Sequence, residues 1–172
     1  VTGVQTCALP ISVEKNVEAF LALDLPGRKE VIGDGPARAA LQRRYPDAVF
    51  HGTLRGEALV ERLAAASVLV FPSRTDTFGL VMLEAMACGV PVAAYPVTGP
   101  IDVITPAVTG VMDPDLRAAA LAALTLDRDE VRKHALTRSW RASASEFLGN
   151  LVPAEAAVRE RIRRCRHVAA AS

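Results

Sequence analysis

The sequence is short of cysteine, has no dominant charge and lacks any long apolar run. Its three cysteines, Cys7, Cys88 and Cys165, are too few and too scattered for a disulfide frame or a zinc site, which points to a reducing compartment. Lysine and arginine number 20 against 19 aspartates and glutamates, a net charge of +1. This gives no global electrostatic reason to bind nucleic acid or an anionic membrane. No stretch approaches the roughly 18 apolar residues of a membrane span, and no internal repeat or low-complexity segment is present. What remains is a chain of 172 residues, 51% hydrophobic and 23% charged. That is enough to bury a sizeable core, and it excludes disorder for the bulk. By length it is one domain, or one half of a two-domain protein.

Residues 1–12, VTGVQTCALPIS, stand apart from the rest. They have no basic leading region, and Pro10 breaks their only apolar stretch, so they do not read as a signal peptide. From Val1 to Ile11 they resemble the in-frame translation of a sequencing-library adapter. The expectation is therefore that they are non-native, lie outside the fold, and that Val13 enters part-way through a domain that lacks its first strand.

From Val13 onward, helical and strand patterns alternate. Val17 to Leu21 reads as a helix stopped at Pro26-Gly27, and Glu30 to Ile32 as a strand ending in the turn Gly33-Asp34-Gly35-Pro36. Ala37 to Arg44 is helical, with Ala40 and Leu41 on its apolar side and Arg38, Arg43 and Arg44 in water. Ala48 to Phe50 is a strand ending at His51-Gly52. Gly56 to Ala66 is a helix with Leu59, Leu63 and Ala66 on one face. Val68 to Phe71 and Pro91 to Tyr95 read as strands buried on both faces of a parallel sheet, separated by a helix from Leu80 to Cys88 that Gly89 ends. Asp115 to Leu124 and Asp129 to Leu148 are further helices. This alternation implies parallel βαβ units, and so an α/β fold with a Rossmann-like doubly wound sheet. Ligands in such sheets bind beyond the carboxyl ends of the strands, which singles out the loops after Ile32, Phe50, Phe71 and Tyr95.

The end of the chain changes character. Residues 154–172 carry Arg159, Arg161, Arg163, Arg164 and Arg166 against Glu155 and Glu160. A solvated basic tail helix is expected there; contact with acidic lipid headgroups at the cytoplasmic membrane face is the other role such a segment can take.

The chemistry concentrates between Phe71 and Val92. A buried strand ends at Phe71, and the following loop carries Asp76 over its carboxyl end. Gly79 permits close backbone approach to a ligand. The helix opening at Gly79-Leu80 aims free N–H groups and a partial positive charge at the same spot, an anion site suited to a diphosphate. Glu84 lies about one turn into that helix, where it can accept from vicinal hydroxyls. Two carboxylates beside a diphosphate repel it unless they hold hydroxyls, which suits a nucleotide sugar. By contrast, Gly33-Asp34-Gly35-Pro36 taken alone is a common structural turn, His51 reads as a loop residue, and Cys88 as core packing.

The Asp76-to-Val92 run, with its glycine stop and proline-led strand, resembles the C-terminal donor-binding domain of retaining GT-B glycosyltransferases, specifically glycosyltransferase family 4. The resemblance extends from Val13 to about Pro153. It implies that Glu84 binds the donor ribose and that Asp76, in place of the family's usual glutamate, meets the transferred sugar. The Thr75-Asp76-Thr77-Phe78-Gly79 version is similar to a mannosyltransferase and glycolipid-synthase subgroup. The resemblance further implies that Lys15 neutralises the donor diphosphate, and that a partner arginine belongs where Leu9 and Pro10 stand. It places Gly33, Thr53, Leu54, Phe78, Gly79 and Leu80 around the donor, with Thr53-Leu54 covering the nucleobase mostly through backbone. The implied reaction is retaining transfer of a sugar from a GDP- or UDP-sugar to an acceptor hydroxyl, without metal or other cofactor. Acceptor groups would lie on an N-terminal domain, so this chain by itself is expected to bind donor weakly and not to transfer. A GT-B nucleotide-sugar epimerase and a non-catalytic nucleotide-binding module stay open as alternatives.

Overall fold

A computed structural model describes residues 3–8, 10–138 and 140–151, excluding the side chain of Trp140. Two compact units divide between Thr137 and Arg138.

The first unit is built on a six-stranded, all-parallel sheet. Its strands are β1 (Val4–Ala8), β2 (Arg28–Ile32), β3 (Val49–Gly52), β4 (Val68–Phe71), β5 (Val92–Ala94) and β6 (Gly110–Met112), in the order β3-β2-β1-β4-β5-β6. Every residue of β4 and β5 is buried, as their unbroken apolar sequences require of central parallel strands. Helices α1 (Val17–Leu21), α2 (Arg38–Arg44), α3 (Gly56–Ala65), α4 (Leu80–Ala87), α5 (Pro100–Val103), α6 (Leu116–Ala123) and α7 (Arg128–Leu136) connect and cover the strands. The α6 helix lies against β4, β5 and β6, while α4 lies against β4 and β5 and is braced by α3 and α7. Asp115 and Asp127 cap α6 and α7, each accepting two backbone N–H bonds. The doubly wound α/β expectation holds.

The exclusion of residues 1–12 from the fold does not hold. Val4–Ala8 is one of the two central strands: Val4 to Ala8 pair in register with Arg28 to Ile32 on one side, and Gln5 and Thr6 with Val68 and Leu69 on the other. Cys7 and Ile11 are fully buried. A sheet of this order leaves a slot between β2 and β4 whose backbone groups must be paired, and an extended five-residue segment fills it. The side chains fit less well than the backbone. Gln5 and Thr6 are wholly buried, yet Gln5 Oε1 and Thr6 Oγ1 find no hydrogen-bond partner among the described residues.

Other boundaries differ for local reasons. The helix expected from Asp129 to Leu148 is broken near Thr137, where α7 ends and the second unit begins. Helix α8 (Trp140–Gly149) lies in that second unit. On α2, Leu41 is buried but Ala40 is exposed, because a seven-residue helix offers only a narrow inward stripe. Arg38, expected in water, is partly buried with its Nε enclosed. The basic stretch 154–172 lies outside the described residues.

Candidate functional site

In a parallel sheet all carboxyl ends lie along one edge. Here β1 leads sideways to β2 and β4 leads the opposite way to β5, so the strand order reverses between β1 and β4. Such a reversal opens a crevice between the outgoing loops, the usual ligand position in this architecture.

Lys15 and Asp76 meet across that crevice. Lys15 ends a 3-10 turn (Val13–Lys15) after β1, and Asp76 lies in the loop after β4; Lys15 Nζ is 2.8 Å from Asp76 Oδ2. Their side chains are only 19% and 14% exposed, so the pair is sheltered from full solvent screening. Asn16 adds a second tie, donating from Nδ2 to the Pro72 carbonyl at 3.2 Å. The loop after β5 closes on the same point: a Cβ on Gly99, where φ is +93°, would lie 3.2 Å from the Asp76 carbonyl oxygen.

Three residues after Asp76, Gly79 begins α4 in the left-handed region at φ 77°. A Cβ there would fall 2.6 Å from the Met82 methyl and 3.1 Å from the Phe71 ring, so the corner requires glycine. The chain thus turns directly from the loop into α4, whose opening N–H groups face out from the carboxyl edge with the positive end of the helix dipole. No acidic side chain occupies the first turn to cancel it. Phe78 and Leu80 flank the corner and are 42% and 55% exposed. Glu84 is exposed on α4 and makes no ion pair among the described residues.

The remaining candidates line the other arm of the edge. Gly33, after β2, donates its N–H to the Gly52 carbonyl at 2.7 Å, linking the ends of β2 and β3. Thr53 is exposed and Leu54 packs partly against the core. Strand order puts Gly33 one strand and Thr53-Leu54 two strands from β1, about 5 Å and 10 Å along the edge. All the anticipated positions therefore lie on one edge; Lys15 and Asp76 are in contact, while Gly33, Thr53 and Leu54 form a separate group beyond β1.

Three features escaped the sequence reading. Arg74 stacks over Tyr95, its guanidinium carbon 4.1 Å from the ring centroid, joining the loops after β4 and β5. His51 Nε2 and Arg28 Nη2 both reach the buried Glu30 carboxylate, at 2.8 Å and 2.7 Å, tying β3 to β2. Asn16 is the third. Only an asparagine next to a helix start hinted at it, since asparagine tolerates left-handed backbone. Neither described cysteine suits thiolate chemistry, because burial pushes both the Cys7 and Cys88 thiols up. Among the described residues no group of three histidine, cysteine or carboxylate side chains is placed to hold a metal. No helix among them is long and apolar enough to cross a membrane.

A family model for glycosyl transferases group 1 matches residues 16–129, which take in Asp76, the Gly79 corner and Glu84. The chain belongs to this family. Two GDP-mannose-dependent alpha-mannosyltransferases, from Mycolicibacterium smegmatis and Mycobacterium tuberculosis, are 38% and 36% identical to it over 151 residues. Those alignments cover 81% of this chain but only 40% of each relative, so the chain spans well under half the length of either. The sulfoquinovosyl transferase SQD2 of Arabidopsis thaliana is 42% identical over 99 residues, covering 55% of this chain and 19% of that protein. Among solved structures, the lipopolysaccharide outer core galactosyltransferase WaaB superposes with a TM-score of 0.71 at 16% identity, covering 86% of this group 1 chain and 48% of its own. HepE of Anabaena in complex with UDP gives 0.68 at 18% identity, covering 87% and 49%. At these identities the likeness is one of fold, that of GT-B glycosyltransferases.

Proposed function

We propose that this chain is the donor-binding half of a retaining glycosyltransferase, which transfers a hexose from a nucleoside diphosphate sugar to an acceptor hydroxyl. The observation that carries the reading is the Lys15–Asp76 contact at the strand-order reversal, beside the glycine-cornered start of α4. A nucleotide sugar needs a cation and oriented N–H groups for its diphosphate and carboxylates for its hydroxyls. Lys15, the amides of Gly79 and Leu80, and the acids Asp76 and Glu84 offer that combination. In this reading Lys15 leaves Asp76 for the diphosphate, and the freed Asp76 carboxylate turns to the sugar. Positive potential on the leaving diphosphate then favours departure as the anomeric carbon becomes cationic. Glu84 takes the ribose hydroxyls, and Gly33, Thr53, Leu54 and Phe78 surround the nucleoside. No metal or other cofactor enters this scheme.

The donor is proposed to be GDP-linked, in keeping with the mannosyltransferase relatives, whereas HepE supports only the broader class of nucleoside diphosphates. Acceptor binding is assigned to an N-terminal domain, so this chain alone should bind donor weakly without transferring sugar. Contact of the 154–172 segment with a cytoplasmic membrane face is a separate proposal, tested by liposome flotation with and without those residues. Isothermal titration with GDP-mannose and UDP-glucose tests the donor reading: saturable binding, tighter for the GDP-sugar, is expected. Sustained sugar transfer by this chain alone would overturn the division of labour.

A further inference from the structure

Asn16 occupies the left-handed region at φ 54° and ψ 33°, one of two described non-glycine residues with positive φ. It sits at the start of α1, immediately after Lys15, and its backbone is held on both sides. Its N–H donates to the Val13 carbonyl at 3.1 Å, and its carbonyl accepts from the Ala19 N–H at 2.9 Å. Its side chain does something different. The Nδ2 group crosses from the β1 side of the crevice to the buried Pro72, the residue directly after β4, and donates to its carbonyl at 3.2 Å.

We propose that Asn16 is a positioning residue for Lys15. Lysine ends in a point charge on a flexible four-carbon stem, so its placement depends on where that stem starts. The left-handed corner sets the direction of the chain at Lys15, and the amide tie fixes its distance from β4. Together they aim Nζ at Asp76 and, if the donor-binding reading above is right, at the donor diphosphate. Few residues meet both demands. Glycine accepts the backbone angle but offers no amide, alanine offers neither, and aspartate tolerates the angle but sets a carboxylate against the Pro72 carbonyl.

The test pairs two measurements on the whole chain. Coupling between Lys15 and Asp76 is read from urea unfolding of K15M, D76N and the double variant, first with Asn16 present and then in the N16G background. GDP affinity is titrated for the original chain, N16G, K15M and N16G/K15M. The inference expects the coupling to disappear in the N16G background. It also expects N16G to weaken GDP binding about as much as K15M does, with little further loss in N16G/K15M. N16D, which keeps the backbone preference but loses the donor, should behave like N16G and serves if N16G folds poorly. Undiminished Lys15–Asp76 coupling in both N16G and N16D would overturn the inference, as would additive losses of GDP affinity. If the original chain binds neither GDP nor UDP, the donor reading fails, and the unfolding cycle alone decides the role of Asn16.

Discussion

Lys15 and Asp76, 61 positions apart in sequence, form the ion pair that closes the crevice between β1 and β4. Each is the other's charged partner at the place where the fold expects a ligand. An anionic ligand must therefore compete with Asp76 for Lys15, and replacing either residue changes more than one charge.

From this contact, K15A should weaken GDP binding by about tenfold or more, since a charge-assisted hydrogen bond is worth about 1.5–3 kcal/mol. Asp76→Asn should do the reverse for free GDP, strengthening it by releasing Lys15, while weakening recognition of the sugar in GDP-mannose. Calorimetric titration of GDP and GDP-mannose against both variants separates the two effects.

Gly79→Ala should lower stability by about 1–3 kcal/mol, because it imposes a side chain at φ 77° and against the Met82 methyl. Glu84→Gln, on an exposed helix face, should leave stability within about 0.5 kcal/mol while weakening GDP binding. Urea midpoints and titrations on the two variants make the comparison.

Strand β1 carries a different expectation. Gln5 Oε1 and Thr6 Oγ1 are buried without partners among the described residues, and a buried polar atom left unpaired costs about 1–3 kcal/mol. Thr6→Val, which removes the orphaned oxygen at nearly constant shape, should raise the urea midpoint. An unchanged or lower midpoint would show that Thr6 finds a partner in solution.

Burial raises the Cys7 thiol pKa above its unfolded value near 8.5. The folded state therefore retains a proton that the unfolded state loses. Below the unfolded pKa this stability is fully present; as pH rises beyond it, stability should fall by up to about 1.4 kcal/mol per pH unit. Cys7→Ala removes this term, so the difference between the original chain and C7A, followed by urea unfolding from pH 7.5 to 10.5, should change in favour of C7A as pH rises. Lys29, whose pKa burial lowers, contributes with the opposite sign in both proteins and cancels in that difference.

Much of this was legible in the sequence where hydrophobicity and punctuation agree. The all-apolar runs Val68–Phe71 and Val92–Ala94 marked the buried strands, and Gly79 and Gly89 marked the ends of α4. Strand β6, three residues long, and α5, four residues long, gave no periodicity to read. Strand β1 was missed because its segment was set aside as foreign. At the site, Lys15, Asp76, Gly79 and Glu84 were named from chain pattern and family likeness. Direct pairing of Lys15 with Asp76 could not be read, since it depends on β1 and β4 becoming neighbours across the strand-order reversal. The left-handed angle at Asn16 is likewise a property of the folded corner rather than of its composition.

Every role proposed above depends on a nucleoside diphosphate binding at the carboxyl edge where the strand order reverses. Mapping GDP-induced shifts of backbone amide resonances in the isotope-labelled chain tests it most directly. Shifts concentrated at Lys15, Gly79 and Leu80 are expected, with a second group at Gly33, Thr53 and Leu54. Shifts confined to the opposite edge of the sheet, or none at saturating GDP, would contradict it.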